Sequence, residues 1–94
     1  MYHLQILTPE NVFFDDEVEA LIAPGTSGYF GILKDHAPFV TSLKEGFFVL
    51  TNKEKKKQYY KVFGGFLEVS KNQATLLVND IQPSEPVDLG EGVL

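Results

Sequence analysis

Apolar and polar side chains alternate with a period of two through most of this chain, and no segment of eleven or more residues carries an i, i+3, i+4, i+7 apolar stripe. That pattern excludes a helical protein. In "YHLQI" Tyr2, Leu4 and Ile6 fall on one face with His3 and Gln5 on the other, and in "EVEALIA" Val18, Ala20 and Ile22 oppose Glu17 and Glu19. Both read as half-buried strands. The runs "FVTSL", "GFFVL", "QYYKVF", "GFLEVS" and "ATLLVN" are rich in the β-branched and aromatic residues that suit a pleated surface. The segments between them, "TPEN", "APGTSG", "KEG", "NKEKKK", "FGG" and "SKNQ", hold residues that tolerate turns or water. Eight or more short strands at this spacing predict an all-β sandwich or barrel. From residue 81 the chain reads "IQPSEPVDLGEGVL", whose prolines and glycines predict an extended or disordered tail over 81–94 behind a domain over 1–80.

Ninety-four residues make one domain, and the 44% hydrophobic content, with eight Phe and four Tyr, gives it a core that needs no staple. No cofactor is expected. The chain has no cysteine, which removes disulfides and thiolate metal sites. No apolar run approaches the ~18 residues of a membrane span, so direct membrane insertion is not expected. Thirteen acids face eight lysines with no arginine, and the residue best suited to phosphate and guanine is therefore missing. Nucleic acid is an unsuitable partner.

The densest motif is "GYFGILKDHAP", residues 28–38. Asp35 beside His36 invites a catalytic pairing, yet in extended backbone adjacent side chains face opposite ways, and no Gly-x-Ser-x-Gly elbow supplies a nucleophile. No catalytic residue is expected. Only His3 and His36 could serve as nitrogen ligands, too few for a metal centre. Gly25, Gly28 and Gly31 lack the Gly-Lys-Ser/Thr ending of a phosphate loop and read as turn glycines or sites of close backbone approach. Asp15, Asp16, Glu17 and Glu19 lack the calcium-loop pattern and read as a turn and the wet face of a strand. Lys53, Lys55, Lys56 and Lys57 read as the solvated tip of a hairpin.

Taken in order, "LQILTPENVFF", "VEALIAPGTSGYFGILKDHAPFVTSLKEGFFVL", "KVFGGFLEVS" and "ATLLVND" resemble the N-terminal domain of the epsilon subunit of F-type ATP synthase over about residues 3–80. The resemblance implies a flattened sandwich of about ten short strands and a non-catalytic role on the rotor. In that role the domain joins the γ subunit to the polar loops of the c-ring and couples proton or sodium flow to ATP synthesis. It implies c-ring contacts at Tyr29, Phe30 and His36, and γ contacts at Thr8, His36 and Thr41. It also implies a monomer in isolation, held peripherally on the cytoplasmic face of a bacterial plasma membrane or its organellar equivalent. "GYFGILKDHAP" then reads as a moulded contact surface. Members of that family continue into a helical hairpin that inhibits ATP hydrolysis. Pro83, Pro86, Gly90 and Gly92 leave no comparable helix here, so neither tail-dependent inhibition nor ATP sensing is expected.

A second reading from a different class remains beside it. A free-standing β-sandwich could recognise a peptide or small ligand with Tyr59, Tyr60 and the "NKEKKK" tip as its paratope.

Overall fold

A computed structural model of the chain describes residues 1–35 and 37–89. His36 and residues 90–94, with the expectations placed on them, lie outside the described residues. Among the described residues seven strands carry the fold: β1 (Tyr2–Leu7), β2 (Val12–Gly25), β3 (Gly28–Ile32), β4 (Phe39–Asn52), β5 (Lys57–Ser70), β6 (Gln73–Leu77) and β7 (Ile81–Pro83). No helix occurs among the described residues. β2, β4 and β5 are each 14 residues long, and in β4 and β5 the runs that read as separate short strands in the sequence are halves of one strand.

Those long strands pass from one layer of the sandwich to the other. In the first layer the C-terminal half of β2 lies between β3 and β4, and β4 continues through the first half of β5 to β7. In the second, the N-terminal half of β2 pairs with β1, β1 runs parallel to β6, and β6 pairs with the second half of β5. Pairing between β1 and β2 closes the path β1-β6-β5-β4-β2 on itself. The sandwich is consequently barrel-like, with extents of 29 × 27 × 27 Å.

Alternation places the core as read in β1, whereas in β2 the register shift between Val18 and Ala20 changes the phase, so that Leu21 and Ala23, not Ala20 and Ile22, join Val18 in the core cluster. β1 shows strict in-out burial, with Tyr2, Leu4 and Ile6 inside. They meet Val18, Leu21, Ile32, Phe48, Leu50, Val62, Leu67 and Leu76 in one apolar cluster. Each fully buried Leu, Ile or Phe stabilises the fold by roughly 1.5–3 kcal/mol. The Tyr2 hydroxyl donates to the Ile32 carbonyl at 2.7 Å, and no buried side-chain polar atom among the described residues lacks a partner.

Three expectations need correction. Residues 81–83, assigned to the tail, form β7, whose pairing of Ile81 with Val62 buries Ile81 and covers the edge of β5 that β6 leaves open. In the described part of that tail, residues 84–89 belong to no strand, although the Ser84 N–H still donates to the Tyr59 carbonyl at 2.9 Å. Asp35 is not extended: its φ of 61° places it in a turn, where its N–H donates to Asn72 Oδ1 at 3.0 Å. The acids 15–17 and 19 all lie within β2 and none forms a turn. The "NKEKKK" tip is a hairpin end as read, closed by Asn52 Oδ1 accepting from the Glu54 and Lys56 N–H groups at 2.9 and 3.0 Å.

Candidate docking site

A strand buried on one face should be polar on the other, and several strands here break that rule. Ile6 with Leu7, Phe66 with Leu67 and Leu76 with Leu77 are adjacent apolar pairs, and a period of two forces one member of each pair outward. The registers then align the outward members. Phe66 stands opposite Leu77, Leu77 opposite Leu7, and Leu7 opposite Val12, so one apolar row crosses β5, β6, β1 and β2. Phe66, Leu77 and Val12 are 57%, 47% and 55% exposed. Val40, two positions along β4 from the Ser42 that faces Phe66, adds another exposed apolar side chain.

Beside the row lies a groove lined by Leu7, Thr8, Pro9, Gly65, Phe66 and Val78, with Leu77 and Asn79 completing it. Its shape depends on Gly65. That residue has φ 140°, and a Cβ placed on it would stand 2.2 Å from the Leu77 carbonyl oxygen. The missing side chain thus lets β5 and the end of β6 meet backbone to backbone. The wall at Thr8 is held by the β1–β2 turn, where the Thr8 N–H donates to the Asn11 carbonyl at 3.0 Å and the Asn11 N–H donates to Thr8 Oγ1 at 3.2 Å. No ionisable group lines this groove, so it offers acid–base or metal chemistry nothing and offers a partner apolar area.

The residues singled out in the sequence do not gather in one place. Thr8 lines the groove. Thr41 is half-buried on β4 opposite Leu67, and its hydroxyl donates to the Ser42 carbonyl at 3.3 Å. Tyr29 and Phe30 lie on β3, opposite Pro24 and Ala23, in the other layer. Phe30 packs on the core with its ring edge-to-face against Phe39, centroids 5.7 Å apart. His36 lies outside the described residues. Leu7, Val12, Val40, Phe66 and Leu77 escaped the sequence reading although the paired apolar residues were its visible sign. Tyr59 and Tyr60, the alternative paratope, are neighbours on β5 and face opposite ways; Tyr60 packs on the core and against Phe13, ring centroids 5.4 Å apart. Burial raises the Tyr60 phenol above its ordinary pKa, as a ring used for packing requires.

Tyr29 serves the sheet itself. Pro24 has no N–H to offer, and the β2–β4 register breaks between Ile22 and Gly25. Across that gap the Phe47 N–H donates to the Tyr29 hydroxyl at 3.0 Å. Gly46 makes room, since a Cβ there would stand 2.8 Å from the same hydroxyl and 2.7 Å from Pro24 Cβ. Tyr29→Phe should leave the part-buried Phe47 N–H unpaired and cost about 1–2 kcal/mol. Thermal melting should record a drop of roughly 4–15 °C, with faster amide exchange at Phe47. An unchanged melt would mean that water replaces the hydroxyl.

Comparison with known proteins agrees with this architecture. A family profile described as ATP synthase, Delta/Epsilon chain, beta-sandwich domain matches residues 1–84. The chain is similar to an ATP synthase epsilon chain of Chlorobium limicola, 44% identical over 80 residues, covering 85% of this chain and 91% of that one. It is similar to another from Moorella thermoacetica, 38% identical over 87 residues, covering 93% of this chain but 65% of the relative. It therefore spans nearly all of one relative and just under two thirds of the other. Among solved structures, a chain of the Euglena gracilis mitochondrial ATP synthase shares the fold with a TM-score of 0.82 at 24% identity, over 90% of this chain and 54% of that one. A chain of the Tetrahymena thermophila mitochondrial ATP synthase central stalk and c-ring does so with a TM-score of 0.73 at 16% identity, over 86% and 65%.

Proposed function

Since this chain belongs to the ATP synthase Delta/Epsilon chain β-sandwich family, we propose that it is a non-catalytic subunit of the central stalk, joining the γ subunit to the c-ring and coupling ion flow to ATP synthesis. The observation that carries this is the exposed apolar row on Phe66, Leu77, Leu7 and Val12, a large contact surface with no chemistry of its own. In this reading the row and its groove take γ, with Thr8 on the groove wall and Thr41 on the neighbouring strand. Tyr29 and Phe30 on β3 take the polar c-ring loops, with Tyr29 holding the β3 edge in shape, and His36 is assigned to the γ and c-ring contacts on the family resemblance. A rotor element must pass torque without shearing, and a sheet whose hydrogen bonding closes on itself suits that task. No helix among the described residues is long and apolar enough to cross a membrane, and the subunit would sit peripherally, on the cytoplasmic face in a bacterium.

The test is to mix the chain with purified γ and measure association by gel filtration and calorimetry. A one-to-one complex at micromolar concentration is expected. Absence of association at tens of micromolar, with the chain folded, would refute the role.

A further inference from the structure

His3 stands at the seam where the sheet closes, and both of its ring nitrogens are occupied by carboxylates. Nδ1 lies 2.9 Å from Glu17 Oε2, the residue directly opposite on β2, and Nε2 contacts Asp15 Oδ1, the outward residue two positions earlier. A neutral imidazole has one N–H and one lone pair, so it can donate to one of these acids and must turn its lone pair on the other. Only the imidazolium donates to both. We propose that His3, Asp15 and Glu17 form a proton-dependent clamp that fastens β1 to β2 and so controls how firmly the sandwich closes.

The surroundings leave the acids as the main influence on the ring. From β2 it faces Asp15 and Glu17, with Asp16 adjacent in sequence and paired to Lys53 at 3.3 Å. On β6 its neighbours are Gln73, in register with His3, and Thr75, two residues further along, both uncharged. The β5–β6 turn, whose Asn72 carbonyl accepts the His3 N–H at 3.1 Å, carries one cation, Lys71. The hydrogen bonds to Asp15 and then Glu17 accordingly hold the imidazole above its ordinary pKa.

The sign of the linkage follows. Because folding raises the His3 pKa, the clamp's stabilisation is fully present below the ordinary histidine range and is lost as pH rises through the raised value. Above it, two carboxylates face each other across a neutral ring on the strands that carry Leu7 and Val12. The pairs are solvent-exposed, so the effect is a loosening of one seam and leaves the rest of the fold intact.

Proton NMR on the full chain tests this without any partner, so its outcome is separate from that of the stalk assignment. The His3 ring signal is identified by its loss in His3→Gln and titrated against the same residue in urea. The expected midpoint is higher in the folded chain, lower in Asp15→Asn and in Glu17→Gln, and lowest in the double variant. The melting temperature should fall from pH 6 to pH 9 more steeply in the unsubstituted chain than in His3→Gln, with amide exchange along β1 accelerating over the same interval. A midpoint equal to that in urea, or one that ignores both substitutions, overturns the clamp. Equal pH slopes with and without His3 overturn its hold on the seam.

Discussion

Gly65→Ala should lower the melting temperature by about 12–24 °C, or leave the protein unfolded on expression. Two costs combine at this position. The φ of 140° is strained for any residue with a side chain, at about 1–3 kcal/mol, and the added carbon would meet the Leu77 carbonyl at 2.2 Å and Val78 Cγ1 at 2.8 Å. Backbone cannot step aside without breaking the β5–β6 ladder, whose first pair is Phe66 with Leu77. A total of about 3 kcal/mol or more is expected, at about 4–8 °C per kcal/mol for a domain of this size. Gly28→Ala is the matched control. It has nearly the same φ, 135°, with nothing within 4 Å of the new carbon, so it should show the strain alone. Equal losses in the two variants would assign the effect to backbone strain and remove the close approach from the account.

The other large effect is on association. Replacing Phe66 and Leu77 together by Asp should weaken binding to γ by more than thirtyfold while moving the melting temperature by only a few degrees. Both side chains are about half exposed and face away from the core, and surface substitutions of that kind usually change folding within ~0.5 kcal/mol each. At the centre of an interface, an apolar anchor of this size contributes ~2 kcal/mol or more, and a carboxylate in its place must also be desolvated. Calorimetry against γ and a thermal melt of the free chain separate the two effects. Full affinity in the double variant would move the γ contact to another face and leave the apolar row without a partner. Phe63→Asp, on the first half of β5 in the other layer, should bind as the unsubstituted chain does.

Side-chain phase is a local property, and what depends on phase alone was legible. The all-β class, the inward set Tyr2, Leu4, Ile6 and Val18, and the lysine-rich hairpin tip all follow from a two-residue period and from turn chemistry. The ordered motifs also identified the family. Register is different, because it joins residues distant in sequence, and a shift of one position would turn a strand inside out. The row of Phe66, Leu77, Leu7 and Val12 exists only through three registers, one of them parallel, that no local pattern encodes. The use of the Tyr29 hydroxyl as a partner for Phe47, 18 residues further along the chain, depended on the register break between Ile22 and Gly25 beside a proline. β7 depended on an open edge of β5. The sequence by itself determined which side chains share a face of an unbroken strand; only the tertiary structure decided where that phase shifts and which outward side chains stand together, because non-local backbone hydrogen bonding sets the alignment.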